Sequence, residues 1–433
     1  MMKINIIGLG YVGQTLAAVL ADVGYKVYGS EIDDNVLKGL KNGNSHVHEP
    51  GLNTLIKKHL DKNLFIGKPN EMYKNEADVF IIAVTSPVDK ITKKPNTEFV
   101  ENAIKEIKKF LKPGQTIILR STVPVGTTRN VVKPLLEKSG LKAGKDFYLS
   151  FAPERTIEGN ALKELRALPQ IIGGIDDSSV DIAAKIFRKV TPTIVCVSSL
   201  ETAELVKLLD NSYRDLRFAY TNQIAKYCEK AGINAFEVIM AANQGYTRND
   251  IPLPSPGVGG ACLSKDPYIL VYCAKKVNEN LSLVSIARNI NESIPQKIVE
   301  RLKKEETLVN KKVFVVGFAF KGFPETNDIR ESPTLYLIEH LKKENAQIIG
   351  FDPTVEDWKI KSLDVEYVDN MQDGLNNADI AIFMTNHRSF FDLNVKELFS
   401  KMKKNATVYD GWSLFKKHEI EELGIKYKGV GIG

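Results

Sequence analysis

The feature that most constrains this chain stands at its start. Lys3-Ile4-Asn5-Ile6-Ile7 is a short β-branched run, and Gly8-Leu9-Gly10-Tyr11-Val12-Gly13 follows at once, opening an amphipathic segment over residues 14–23. A strand that breaks into a glycine-rich turn and then a helix is the phosphate-binding corner of a dinucleotide fold. In such a corner Gly8 permits the tight turn, Gly10 lets the backbone approach a pyrophosphate, and Gly13 lets helix and strand pack closely. Tyr11 and Val12 begin the helix, whose first N–H groups lack intrahelical partners and point at the phosphates. An acid is expected about twenty residues on, and Glu31 ends the next strand-like run. Its carboxylate would accept hydrogen bonds from the adenosine ribose hydroxyls and repel a 2′-phosphate, which selects NAD over NADP.

The alternation continues through runs at 26–28, 79–84, Thr116–Leu119 and 170–172, separated by helical patterns such as 98–111, which Lys112-Pro113-Gly114 stops. This predicts a parallel sheet covered on both faces. From residue 200 the texture changes. No glycine or proline occurs before Gly232, and Ala203, Val206, Leu209, Tyr213, Leu216 and Ala219 recur at helical spacing. That predicts one helix of about 45 Å. Further helical patterns follow, broken by a Gly/Pro-rich loop over 252–267, and strand–helix texture returns at 311–317, 348–352 and 378–384. The predicted architecture is α/β: two Rossmann-like doubly wound parallel-sheet domains joined by a central α-helical domain with a long helix. The boundaries fall at 1–198, 199–300 and 301–433.

Composition narrows the function classes. With 43% hydrophobic and 26% charged residues, the 433-residue chain can bury sizeable cores. The 59 Lys+Arg against 53 Asp+Glu leave only +6, and the lysines are dispersed, as on a solvated face rather than a nucleic-acid surface. Four cysteines form neither a CxxC pair nor a zinc-ligand spacing with histidine, so reduced thiols and no metal are expected. No apolar run approaches the ~20 residues of a membrane helix, and the N-terminus reads as a strand rather than a signal peptide. The expectation is a cytoplasmic protein with neither membrane nor nucleic acid as partner.

Among the cysteines, Cys262 stands apart. Gly257-Val258-Gly259-Gly260-Ala261-Cys262-Leu263-Ser264-Lys265-Asp266-Pro267 surrounds one thiol with backbone freedom and two charges. A cationic neighbour lowers a thiol pKa, and the thiolate is the nucleophile. Cys196, Cys228 and Cys273 lie in strand or helix patterns, where a small buried hydrophobe is expected. A nicotinamide and a thiolate together are equipment for oxidising an aldehyde through a thioester.

These motifs, taken in order, resemble the UDP-glucose/GDP-mannose dehydrogenase superfamily over residues 2–425. The resemblance extends to Ala83-Val84-Thr85-Ser86-Pro87, Ser121-Thr122-Val123-Pro124-Val125-Gly126-Thr127-Thr128 and Ala152-Pro153-Glu154-Arg155. It continues through Ala203-Glu204-Leu205-Val206-Lys207, Asn211-Ser212-Tyr213-Arg214-Asp215, Phe318-Ala319-Phe320-Lys321 and Asp328-Ile329-Arg330-Glu331-Ser332-Pro333. It implies oxidation of a nucleotide-sugar C6 hydroxyl to a carboxylate in two NAD-dependent steps, with Cys262 as nucleophile. Lys207 and Asn211, one helical turn apart, would stabilise negative charge on the substrate oxygen. Asp266 would hold a water in a proton relay with Lys207, and Glu154 would serve as general base for thioester hydrolysis. Thr122 and Thr85 would lie beside the cofactor, Thr122 also near the reacting oxygen. The remaining implied contacts are Arg330 toward the cofactor, and Arg155, Arg214, Gly259 and Lys321 toward the substrate. Each charged residue has a plainer reading: Lys207 as a solvated helix face, Glu154 as partner of Arg155, Asp266 as a helix cap, Arg330 as half of a salt bridge.

The Asn-Ser-Tyr-Arg-Asp run and Arg248, fourteen residues before Cys262, resemble the branch acting on UDP-N-acetylhexosamines, above all UDP-N-acetylmannosamine. In that branch such an arginine contacts the sugar from a neighbouring subunit, which implies a homodimer or homotetramer. Ala261 stands where many acetamido-sugar members carry histidine, and Lys265-Asp266 resembles the UDP-glucose type. UDP-N-acetylglucosamine and UDP-glucose therefore remain alternatives. An ordinary β-hydroxyacid dehydrogenase has no use for Gly-Gly-Ala-Cys or a second nucleotide domain. A non-catalytic NAD-sensing protein, the alternative of another class, has no need to keep Cys262, Lys207, Asp266 and Glu154 together.

Overall fold

Period-two burial organises the first sheet in this computed structural model, which describes residues 1–432. In β1 (Lys3–Ile7), Ile4 and Ile6 join one hydrophobic cluster and Ile7 another. Ile81 and Ile118 fall with the first cluster, while Phe80, Ile82, Ile117 and Leu119 fall with the second. Strands with apolar residues on both sides must be covered on both faces, and helices supply the covers. The remaining strands of this sheet are β2 (Lys26–Ser30), β3 (Leu64–Gly67), β4 (Val79–Ile82), β5 (Thr116–Leu119), β6 (Tyr148–Phe151), β7 (Gln170–Gly174) and β8 (Ile194–Cys196). Their order is β3-β2-β1-β4-β5-β6-β7-β8.

One junction departs from the all-parallel expectation: β6 and β7 pair antiparallel, Phe151 opposite Gly173. Residues 152–169, which include the helix Ala161–Ala167, return the chain to the edge at which β6 ended, so β7 runs back along the sheet. Cys196 also differs from its expected burial. It is exposed, because β8 is the sheet's edge strand, whereas Cys228 is buried and Cys273 half-buried.

The second sheet contains β9 (Lys312–Val316), β10 (Gln347–Phe351), β11 (Glu366–Tyr367), β12 (Ile380–Phe383), β13 (Thr407–Asp410) and β14 (Lys426–Gly429). It is wholly parallel, in the order β11-β10-β9-β12-β13-β14. The same alternation divides Val313 and Val315 from Phe314 and Val316. Its strand order repeats that of the first six strands of the N-terminal sheet, the topology of a doubly wound dinucleotide fold.

The long helix runs from Leu200 to Ala231, 32 residues, or about 48 Å at 1.5 Å per residue. Contacts divide the chain into two compact units. One is Met1–Asp210 with Tyr268–Asn280, and the other is Asn211–Pro267 with the chain from Leu281 onward.

Candidate active site

In the N-terminal unit, strand register aligns the functional turns along one sheet edge. Ser30, Ile7, Ile82, Leu119 and Phe151 are successive partners across β2, β1, β4, β5 and β6. The chain leaves this row through Glu31, Gly8–Gly13, Thr85, Thr122 and Glu154 respectively. The carboxyl edge of a parallel sheet is where open α/β folds bind ligands.

Each glycine of the first turn has a distinct structural basis. Gly8 has φ +87°, a conformation in which a side chain is strained. A Cβ on Gly13 would lie 1.8 Å from the Gly8 carbonyl oxygen, so close helix–strand packing requires its absence. A Cβ on Gly10 would meet nothing within 4 Å, leaving open space before the helix N-terminus, where a pyrophosphate fits. Glu31 accepts the Leu9 N–H at 2.7 Å and the N–H groups of Ile32 and Asp33, which presents an acid beside the glycine turn. These residues fit an NAD cofactor: backbone N–H groups for phosphate and a carboxylate for ribose. Tyr11 donates its phenol proton to Glu49 at 2.6 Å. Burial and the Glu49 carboxylate push the phenol pKa up, so this side chain braces the helix start. Val12 follows within the same first helical turn.

At the other end of the row, Glu154 is a buried carboxylate with both oxygens engaged. Arg120 donates to one at 2.6 Å, and the N–H groups of Arg155 and Thr156 donate to the other at 2.7 and 2.8 Å. Burial works against the charge, but Arg120, the Thr156 N–H and the field of Lys207 outweigh it and hold the carboxyl below its usual range. Lys207 is itself buried, not on a solvated face. Arg155 pairs with Asp210 at 2.7 Å. Arg120, which sequence reasoning missed, also donates to Ala152 O and Gln170 Oε1. The available signal was a charge directly after four buried strand residues. Thr85 is exposed and Thr122 half-buried, and Ser86 Oγ donates to the Thr122 carbonyl. The turn after Thr122 is held by buried Glu204, which accepts from Gly126 N at 2.5 Å and from Thr128 N and Oγ1 at 2.8 and 2.6 Å.

In the other unit the thiol lies in a turn that ends at the helix Asp266–Lys276. Cys262 is exposed. Asp266 is fully buried; Lys265 Nζ donates to one oxygen at 2.5 Å and Asn211 Nδ2 to the other at 2.6 Å. Burial disfavours the Lys265 ammonium, yet Asp266 and the Cys262 sulfur outweigh it and raise its pKa. A persistent cation thus stands within electrostatic reach of the sulfur, an arrangement that favours thiolate. The adjacent glycines are demanded by the turn: Gly257 has φ +134° and Gly260 +87°. A Cβ on Gly259 would strike the Glu331 carbonyl at 2.0 Å.

The other expected contacts are more dispersed. Arg214 is exposed on the long helix. Arg248 is exposed in the loop after residue 243 and stacks on Tyr246 at 4.7 Å. Lys321 lies 5.6 Å from the Phe320 ring centroid. Arg330 pairs with Asp328 at 2.5 Å and lies within electrostatic reach of Lys265.

A dinucleotide turn, a carboxylate-lined sheet edge, a second doubly wound sheet and a cation-flanked thiol define an NAD-dependent oxidoreductase with a separate nucleotide-binding module. Comparison with known proteins supplies the particular family. Its NAD binding domain model matches residues 2–191, its central domain model 201–293 and its UDP binding domain model 314–417. The chain belongs to the UDP-glucose/GDP-mannose dehydrogenase family, and its cofactor is NAD. A UDP-N-acetyl-D-mannosamine dehydrogenase of Methanococcus aeolicus is 34% identical over all of this chain and 95% of the relative. One from Campylobacter jejuni is 34% identical over 92% of this chain and 98% of its own length. The solved UDP-D-ManNAc dehydrogenase of Pyrococcus horikoshii superposes with TM-score 0.90 at 32% identity, covering 99% of both chains.

Proposed function

We propose that the chain oxidises the C6 hydroxyl of UDP-N-acetyl-D-mannosamine to the carboxylate, giving UDP-N-acetyl-D-mannosaminuronate. Full-length similarity to the M. aeolicus and P. horikoshii enzymes carries this reading. Overall, one alcohol, two NAD⁺ and one water yield one carboxylate, two NADH and three protons. Bound NAD supplies the hydride acceptor for both oxidations.

The side chains do the rest. Lys207 and Asn211 stabilise negative charge on the substrate oxygen as hydride leaves C6. The Cys262 thiolate adds to the C6 aldehyde, forming a C–S bond and a thiohemiacetal that cannot diffuse away. Loss of a second hydride and the hydroxyl proton leaves a thioester. Water attacks its carbonyl, the C–S bond breaks, and the thiolate is regenerated. Glu154, ionised by Arg120 and Lys207, orients that water and accepts its proton. Asp266 holds a water that relays a proton with Lys207. Thr85 and Thr122 line the cofactor, which Arg330 also contacts, and Arg155, Arg214, Gly259 and Lys321 contact the substrate.

In this reading residues 1–198 bind NAD, 199–300 form the helical dimerisation and active-site domain, and 301–433 bind the UDP-sugar. The protein acts in the cytoplasm as a homodimer or homotetramer, with Arg248 supplied to the neighbouring subunit's substrate. No helix among the described residues is long and apolar enough to cross a membrane. Tyr213, Tyr220 and Tyr227, seven residues apart, are 58, 57 and 65% exposed on the long helix, a stripe suited to a second copy. The test is kcat/KM with NAD over a panel of UDP-N-acetylmannosamine, UDP-N-acetylglucosamine and UDP-glucose. The first should lead by at least about tenfold, or 1.4 kcal/mol; a lead by either other sugar overturns the substrate assignment.

A further inference from the structure

The loop that carries the thiol is fastened at three backbone groups by a buried polar chain that sequence reasoning left without a role. Arg288, on the helix Ser282–Glu292, is buried beneath it. Its Nη1 donates to the Leu263 carbonyl at 2.8 Å and its Nη2 to the Val258 carbonyl at 3.0 Å. The same Nη1 donates to Asp215 Oδ1 at 2.8 Å. Asn291 Nδ2 donates to that oxygen and to the Asp215 carbonyl, both at 2.9 Å. Asn222 Nδ2 donates to Asn291 Oδ1 at 3.1 Å, and Asn222 Oδ1 accepts the Ser255 N–H at 2.9 Å. Asp215 and Asn222 belong to the long helix, so two helices grip Ser255, Val258 and Leu263.

We propose that Arg288, oriented by Asp215 and Asn291, is the positioning residue for Cys262, setting the direction of its sulfur through the two carbonyls that bracket the turn. This rests on the reading of Cys262 as nucleophile. Three glycines at 257, 259 and 260 give the turn more backbone freedom than a reacting atom tolerates. A planar fork that binds two carbonyls removes that freedom at both ends, and a lysine cannot reproduce its geometry. The cluster is not assembled for stability alone: Asp215 Oδ2 is buried without a hydrogen-bond partner, while Arg288 Nε faces the Glu292 carboxylate at 3.5 Å, and a buried polar atom left without a hydrogen bond destabilises a fold. Burial also pushes the Asp215 carboxyl above its usual range, against the pull of Arg288.

The experiment compares wild type, Arg288→Lys and Asp215→Asn, the second keeping the side chain's shape. Each is assayed for NAD affinity, for kcat and KM toward the UDP-sugar, and for the rate of Cys262 alkylation by iodoacetamide as a function of pH, with the modified peptide identified by mass. A displaced thiol costs about ten- to a hundredfold in kcat. The expected result is that loss in both variants, with a shifted alkylation profile, while KM and NAD affinity stay within about twofold. Unchanged kcat and alkylation overturn the proposal, and so does a loss of NAD affinity parallel to the loss of kcat, which marks a merely structural role. Failure of the nucleophile reading is separately visible, because Cys262→Ala would then turn over normally.

Discussion

Arg120 and Glu154 are 1% and 9% exposed at their side chains, so the pair's electrostatics are barely screened by water. Removing the guanidinium leaves a buried carboxylate with only two backbone donors and Lys207. Arg120→Ala should cost about 3–5 kcal/mol of stability in urea unfolding, and a loss under 1 kcal/mol would show that Glu154 does not depend on it. Glu204 behaves in the opposite sense. Burial pushes its carboxyl up to about 7 despite the Thr128 and Gly126 donors, helped by Glu201. The other groups facing it are Arg129, paired with Glu201, and the Cys273 thiol. A carboxyl raised in the folded state contributes stability that is fully present below its ordinary pKa near 4.5 and lost as pH rises through about 7. The effect is on the order of 3 kcal/mol. Glu204→Gln should therefore be less stable than wild type at pH 5 by more than at pH 8; a pH-independent difference contradicts the assignment. Glu31 was legible in advance because it needs only a strand end and a spacing. Arg120 was not, because its partner lies 34 residues away and becomes its neighbour only through pairing of β5 with β6.

Among elements, the two sheets share a strand order but not a use. After β1 a three-residue turn leads into the helix beginning at Tyr11, whereas after β9 sixteen residues intervene before the helix Pro333–Lys343. Gly317 repeats the positive φ of Gly8 at +94°, and Asp352 after β10 repeats the place of Glu31. Asp352 accepts from Phe318 N and Ala319 N, as Glu31 accepts from Leu9 N. Yet Asp352 is fully buried against His387, and the sixteen-residue connection replaces the short glycine turn, so the second sheet does not repeat the dinucleotide corner of the first. The repeated layout was readable from hydrophobic alternation, since period and burial are local. The antiparallel turn into β7 was not, because it depends on where the loop after Glu154 leads the chain. The glycine turn itself makes a paired prediction. Gly10→Ala should leave stability within about 0.5 kcal/mol and weaken NAD binding at least tenfold, since its methyl enters only the phosphate space. Gly13→Ala should destabilise by at least about 1–3 kcal/mol, through the clash with Gly8. Calorimetry with NAD titration separates them, and equal stability losses in both would refute the division of roles.

For the whole molecule, the family and its cofactor follow from motifs spread along the chain, each short and locally readable. The surroundings of Cys262 are less so, because Lys265, Asp266 and Asn211 converge only when the thiol turn packs on the long helix. The mechanism depends on the sulfur retaining the half-oxidised sugar until a second nicotinamide arrives. The most direct measurement is the number of NADH formed per UDP-sugar consumed, by absorbance, with the product identified by mass. Two NADH and a uronate are predicted for the wild-type enzyme; one NADH with release of a free aldehyde contradicts the mechanism.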